Sequence, residues 1–126
     1  MDKKIQIEQA IQTHLANGGK LIRGSWGVAI KRYGQNRQFE FYSERGKEKE
    51  CCGLSCAIIL NQDQVSSNSI REAAHEMFGW QWTGSFVCGF DGWDKEKLHA
   101  SSYDTDWDAF EFGKLMWEKY GQENAN

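Results

Sequence analysis

The stretch from Ser66 to Gly92, SSNSIREAAHEMFGWQWTGSFVCGFDG, constrains the fold more than any other part of the chain. It carries two apolar stripes cut apart at Gly79. Ile70, Ala73, Ala74, Met77 and Phe78 stand at i, i+3, i+4, i+7 and i+8, the spacing of one helix face, and predict a helix over residues 70–78. Ser67 or Asn68 supplies a capping oxygen, and Gly79 stands where a helix stops. Thr83, Phe86, Val87 and Phe90 repeat the pattern, with Thr83 as cap and Gly92 as stop, and predict a second helix over 83–91. Trp80, Trp82, Phe86, Cys88 and Phe90 also share one parity, so a half-buried strand over 80–90 is the alternative. The cap and the stop favour the helix.

Two helices joined at a Gly-aromatic step have the outline of a helix-turn-helix over residues 69–91. A DNA reader needs phosphate-binding side chains on its second helix, and this one offers Gly84, Ser85, Cys88 and Asp91 without a Lys or Arg. A helical hairpin that serves the core is the preferred reading.

At 126 residues the chain suits a single domain, 1–126, able to bury roughly two-thirds of its unfolded surface. Proline is absent, so turns fall to the 13 glycines and to Asn, Asp and Ser. No apolar run is long enough to cross a bilayer, and the opening residues MDKKIQIEQA enter an amphipathic pattern directly, so no membrane association is expected. Cys51, Cys52, Cys56 and Cys88 read as reduced thiols of a cytoplasmic protein. The net charge of −3 is unevenly divided, +4 over residues 1–60 and −7 over 61–126. Such a split marks either two solvated faces or a surface for a partner or a second copy.

Ile7, Ala10, Ile11, His14 and Leu15 predict an N-terminal helix over 3–17, ended by Asn17-Gly18-Gly19. His14 lies on its apolar stripe, where a packed, hydrogen-bonded imidazole is the ordinary role and ligand or acid-base duty the rarer one. Trp26, Val28 and Ile30, then Phe39 and Phe41, alternate with polar or small residues around a Tyr33–Asn36 turn. They predict two or three antiparallel strands within residues 20–43, followed by a charged loop. Eight Lys and Arg interleave with aromatics over 20–49, which opens nucleic-acid binding through this region as one alternative, although alternation turns most of those rings inward.

Leu54, Ala57 and Ile58 fit a short helix, and Cys56–Leu60 fits a buried strand equally well. Cys52 and Cys56, four apart, share a helix face; with Cys88, His75 or His99 they would make a zinc-type set. No second close pair exists, so the expectation is packed thiols with no metal and no cofactor. No phosphate loop, nucleophile elbow or dinucleotide fingerprint occurs, and no catalytic residue is nominated. Asp104, Asp106 and Asp108 imitate a calcium loop, but Ala109 and Leu115 occupy positions that need Gly and Glu. They suit a helix start instead, capped by Asp104 or Thr105 and running to about Tyr120. Gly113 inside that helix predicts close approach by another element, either the 70–78 helix or a second copy.

Gly18-Gly19, Trp26-Gly27, Cys51-Cys52-Gly53-Leu54, Phe86-Val87-Cys88-Gly89-Phe90-Asp91-Gly92 and Gly113 resemble the pattern of a loose group of short bacterial proteins, a likeness that implies a bacterial or mobile-element origin. The likeness covers a dozen positions across most of the chain. Gly53 stands where that group has Pro, and Ser55 where it has Gly. The resemblance also implies a helical 83–91 segment, and carries no activity with it.

The expected fold is α+β: a small antiparallel sheet within residues 20–43, packed by an N-terminal helix and a helical C-terminal half. The expected function is a non-catalytic module that binds a protein partner or itself as a homodimer, with Phe112 and Leu115 off the core stripe as its surface. The alternative is a small-molecule site lined by Trp26, Trp80, Trp82 and Trp93, four of the six tryptophans.

Overall fold

A computed structural model describes residues 2–41, 50–100 and 104–121. The fold is α+β. Helix α1 spans Lys3–Ala16; its cap is Asp2, whose carboxylate accepts the Lys4 and Ile5 N–H groups at 2.7 and 3.4 Å. Strand β1 (Lys20–Leu21) follows, then a hairpin of β2 (Val28–Tyr33) and β3 (Asn36–Phe41). The hairpin is antiparallel, in register from Val28↔Phe41 to Tyr33↔Asn36, and turns on Gly34 at φ +64°. Strand β4 (Glu50–Cys51) pairs in parallel with β1, opposing Leu21 to Cys51. The antiparallel pair was legible; the third strand instead pairs with a segment thirty residues further on. Trp26 precedes the hairpin, and residues 42, 43 and 45–49 of the expected strand and loop lie outside the described residues, as does the tail after 121.

Helix α2 (Gly53–Leu60) occupies the centre, with Gly53 through Ile58 all buried. This settles its helix-or-strand ambiguity in favour of the helix. Gly53 is its first residue, a position where proline is also well tolerated. On one side α1 packs Ile7, Ala10 and Ile11 against α2; on the other comes α3 (Ile70–Phe78), capped by Ser69 accepting the Glu72 N–H at 3.1 Å. Ser69, one residue past the expected caps, wins because it directly precedes the first helical turn.

Gly79, at φ +87° and ψ 147°, ends α3 and starts α4 (Trp80–Phe90) with no loop between them. The second helix therefore begins three residues before the expected Thr83 cap. Thr83 lies inside it and donates its hydroxyl to the Ala74 carbonyl at 3.2 Å, tying the two helices together. Trp82, Phe86 and Phe90 form a ladder with ring centroids 5.6 and 5.9 Å apart, and Phe112 closes on Phe86 at 5.8 Å.

After α5 (Lys95–Ala100), helix α6 (Trp107–Met116) runs into a π-helical turn at Trp117–Gly121. Its cap is Asp106, accepting the Ala109 N–H at 3.1 Å, in place of Asp104 or Thr105. The close approach expected at Gly113 is real, and the neighbour is α4: a Cβ there would run into the Phe86 carbonyl and lie 2.9 Å from the Phe90 nitrogen. Gly89 meets the Phe110 backbone in the same way from the other side. The helical half thus packs on α2 and on itself. The hairpin sits at the edge, contributing buried Phe39 and Arg37, which lies 4.3 Å over the Phe39 ring and donates to the Val65 and Ser67 carbonyls. Among the described residues no helix is long and apolar enough to cross a membrane.

Candidate functional site

On the face of α4 opposite its aromatic ladder, Trp80, Gly84, Val87 and Cys88 fall at i, i+4, i+7 and i+8 and line a groove of about 560 Å³. Trp26 and Trp93 flank it, and α3 contributes Arg71 and His75, one turn apart. That volume falls within the usual range of small-molecule sites. Trp80 and Trp93 are 62% and 56% exposed, unusual for the largest apolar side chain. Among the described residues neither Arg71 nor His75 forms an ion pair, so the Arg71 guanidinium is uncommitted. Cys88 lies in the same groove, its thiol pushed up by burial and then by Asp91.

Three of the four nominated tryptophans therefore share one groove. Trp82 does not: it is 7% exposed, stacked on Phe86, because its position two residues from Trp80 turns it to the opposite helix face. Phe112 is likewise drawn into the core against Trp82 and Phe86, while Leu115 stays 50% exposed. Phe112 is thus no surface residue. Arg71, Gly84 and Val87 were missed, although the 80/84/87/88 spacing is itself a second helical stripe.

Among the described residues of the basic first half, several cations are engaged within the chain. Arg23 donates to the Phe90 carbonyl at 2.8 Å and lies 4.3 Å over Trp117, and Lys31 pairs with Glu40 at 2.9 Å. Lys4–Asp108 and Lys119–Glu8, both at 2.8 Å, join α1 to the C-terminal helix region; of the two only Lys4–Asp108 sets a charge of the basic half against one of the acidic half. The helix that would read DNA in a helix-turn-helix has Thr83, Ser85, Phe86, Gly89 and Phe90 buried, which removes that face from any groove of a duplex.

A second cluster lies deep in the molecule. His14 from the last turn of α1, Cys51 from β4 and Cys56 from α2 bring Nε2, Sγ and Sγ within 4.8 Å of one another, all three residues buried. The Cys51 sulfur is 3.6 Å from both His14 Nε2 and the Cys56 sulfur. Nε2 also lies 3.1 Å from the Lys20 carbonyl oxygen, and Phe41 covers the ring at 4.6 Å. Two glycines make room: a Cβ at Gly19 would enter the imidazole, and one at Gly27 would meet the Glu50 carbonyl and the Cys51 Cα. The Gly18-Gly19 and Trp26-Gly27 pairs thereby acquire a physical reason. The set that spacing alone allowed, Cys52 and Cys56 with Cys88, His75 or His99, is not what the cluster contains; Cys52 instead faces the Ser55 hydroxyl at 3.4 Å.

A thiol beside an imidazole has the composition of a nucleophile and its base. Here the hydrogen bond with Cys56, followed by burial, pushes the Cys51 thiol far above its ordinary range. Burial pushes Cys52 up to about 11. A thiol held protonated is a poor nucleophile.

Compared with known protein families, curated proteins and solved structures, the chain matches none of the three.

Proposed function

We propose that this protein is a non-catalytic binding module whose working surface is the Trp26–Trp80–Trp93 groove. Its ligand joins a flat apolar or aromatic body to an anionic group. The observation that carries this reading is the gathering of three indoles, two of them more than half exposed, around a rim bearing Arg71 and His75. Folding alone does not account for that exposure, since burying a large apolar side chain is worth about 1.5–3 kcal/mol. Indole faces suit flat apolar groups, and the guanidinium suits a carboxylate or phosphate. All four cysteines are free, which supports a reducing, cytoplasmic setting.

Tryptophan fluorescence titrations with 1-naphthoate and the neutral 2-naphthalenemethanol test it. Naphthoate should bind more tightly, and Arg71→Gln should cost it about 10-fold with little effect on the alcohol, the value of one charge-assisted contact. Equal affinity for the two probes, or no binding of either, would sink the reading.

Association with a protein partner, or with a second copy as a homodimer, is the second reading, favoured by Leu115 on the outer side of α6. Light scattering on the wild type and on Leu115→Lys decides it: a monomer in both removes self-association.

A further inference from the structure

We infer that His14, Cys51 and Cys56 form a binding site for a divalent cation of the zinc class, held by one imidazole nitrogen and two thiolates, with a fourth position for an exchangeable ligand.

Geometry is the first support. Zinc bonds of about 2.3 Å to sulfur and 2.0–2.1 Å to nitrogen in a tetrahedron require S···S edges of about 3.8 Å and S···N edges of about 3.5 Å. The Cys51–Cys56 and Cys51–His14 separations are each 3.6 Å, and the third edge, between Cys56 and His14, lies within 4.8 Å, so a modest closing movement completes the face. A disulfide would need the sulfurs at about 2.05 Å, so the pair is spaced for a shared ion better than for a bond to one another.

Charge is the second. Each residue is at most 5% exposed. Two thiolates and a neutral imidazole around a doubly charged cation sum to zero, which is what a buried site tolerates; an ionised thiolate alone there would be costly. Both thiols release their protons to solvent on binding. Soft sulfur with imidazole selects zinc over the oxygen-loving calcium and magnesium.

Placement is the third. The three ligands come from three different elements already fixed by other contacts. Cys56 lies in the first turn of α2, where the helix dipole favours an anionic sulfur. His14 and Cys56 also line a cleft of about 370 Å³ together with Ala10, Thr13, Asn17, Phe41, Ile59 and Leu60. Three protein ligands beside a cleft leave room for water or a small anion at the fourth vertex, the coordination of exchangeable rather than closed sites. Binding exchanges the approach of His14 Nε2 to the Lys20 carbonyl for a bond to the ion.

The test uses the reduced 126-residue chain and Zn²⁺ or Co²⁺ alone. One equivalent of Co²⁺ per chain should give the intense visible bands of a tetrahedral ion and a thiolate charge-transfer band. X-ray absorption of the zinc-loaded wild type should count two sulfur neighbours near 2.3 Å. Cys56→Ser should weaken Co²⁺ binding at least 100-fold and shift the remaining spectrum, whereas Cys88→Ser should leave both unchanged. Failure of the wild type to take up either ion, a zinc shell with no sulfur or one, or uptake untouched by Cys56→Ser would each overturn the assignment. The wild-type absorption measurement stands even if a variant misfolds, and a mass two units low with no uptake would overturn the assignment in favour of a disulfide, peptide mapping then naming the pair.

Discussion

Gly113→Ala probes the close approach of α6 to α4. Glycine inside a helix is less favourable than alanine by about 1 kcal/mol, so an exposed Gly113 would make this a stabilising change. In the fold, the added Cβ would run into the Phe86 carbonyl, 2.9 Å from the Phe90 nitrogen and 3.0 Å from the Phe86 carbonyl carbon. These are backbone atoms of α4, which cannot turn aside as a side chain would. The helices must separate, loosening contacts among Phe86, Phe110, Phe112 and Met116. Overpacking typically costs 1–3 kcal/mol, and a backbone clash belongs at or beyond the top of that range. About 3–4 kcal/mol of strain less about 1 of propensity leaves a net loss of about 2–3 kcal/mol. Urea unfolding followed by circular dichroism should show the midpoint falling at constant slope, with Tm lower by about 10 °C. Stability equal to or above the wild type would refute the α4–α6 crossing.

Phe86→Ala should cost about 3–5 kcal/mol in the same assay, since Phe86 is fully buried between Trp82, Phe90 and Phe112. Asp91, whose carboxyl burial holds above its ordinary range, favours the fold only when protonated: that contribution is present below about pH 3.8 and is lost as pH rises through the folded value. Asp91→Asn, which can still accept the Gly24 N–H, should therefore gain stability at pH 7 and little at pH 3; no gain at pH 7 counts against it. Glu8 behaves oppositely, its carboxyl held low by hydrogen bonds from Lys119 and then Tyr120. Its contribution is present above about pH 4.5 and lost as pH falls through the lower folded value, so Glu8→Gln should flatten the acid limb of a stability–pH curve.

The longer helices were legible because their periodicity is local; α5, six residues of mostly polar sequence, was not. The Ser69 cap lies one or two residues past the expected ones and α1 ends one residue short, at Ala16, the usual slack of helix ends. What was not legible depends on distance in the chain. The parallel contact of Lys20–Leu21 with Glu50–Cys51 rests on two residues each, too short to leave an alternating pattern. It is also what brings Cys51 beside His14, so that cluster could not be assembled from spacing. Trp82 and Phe112 were misplaced for a different reason. Tryptophan content alone does not say which helix face a ring occupies, and α4 carries apolar residues on both faces. Trp26, Trp80 and Trp93 were found from their residue type, and only packing showed that they converge.

The groove as a ligand site is tested most directly by the six tryptophan indole N–H resonances in a ¹H–¹⁵N spectrum, titrated with 1-naphthoate. The peaks of Trp26, Trp80 and Trp93 should move together along one binding curve while those of Trp82, Trp107 and Trp117 stay in place. Saturation with no indole shift, or shifts centred on Trp107 and Trp117, would contradict the account.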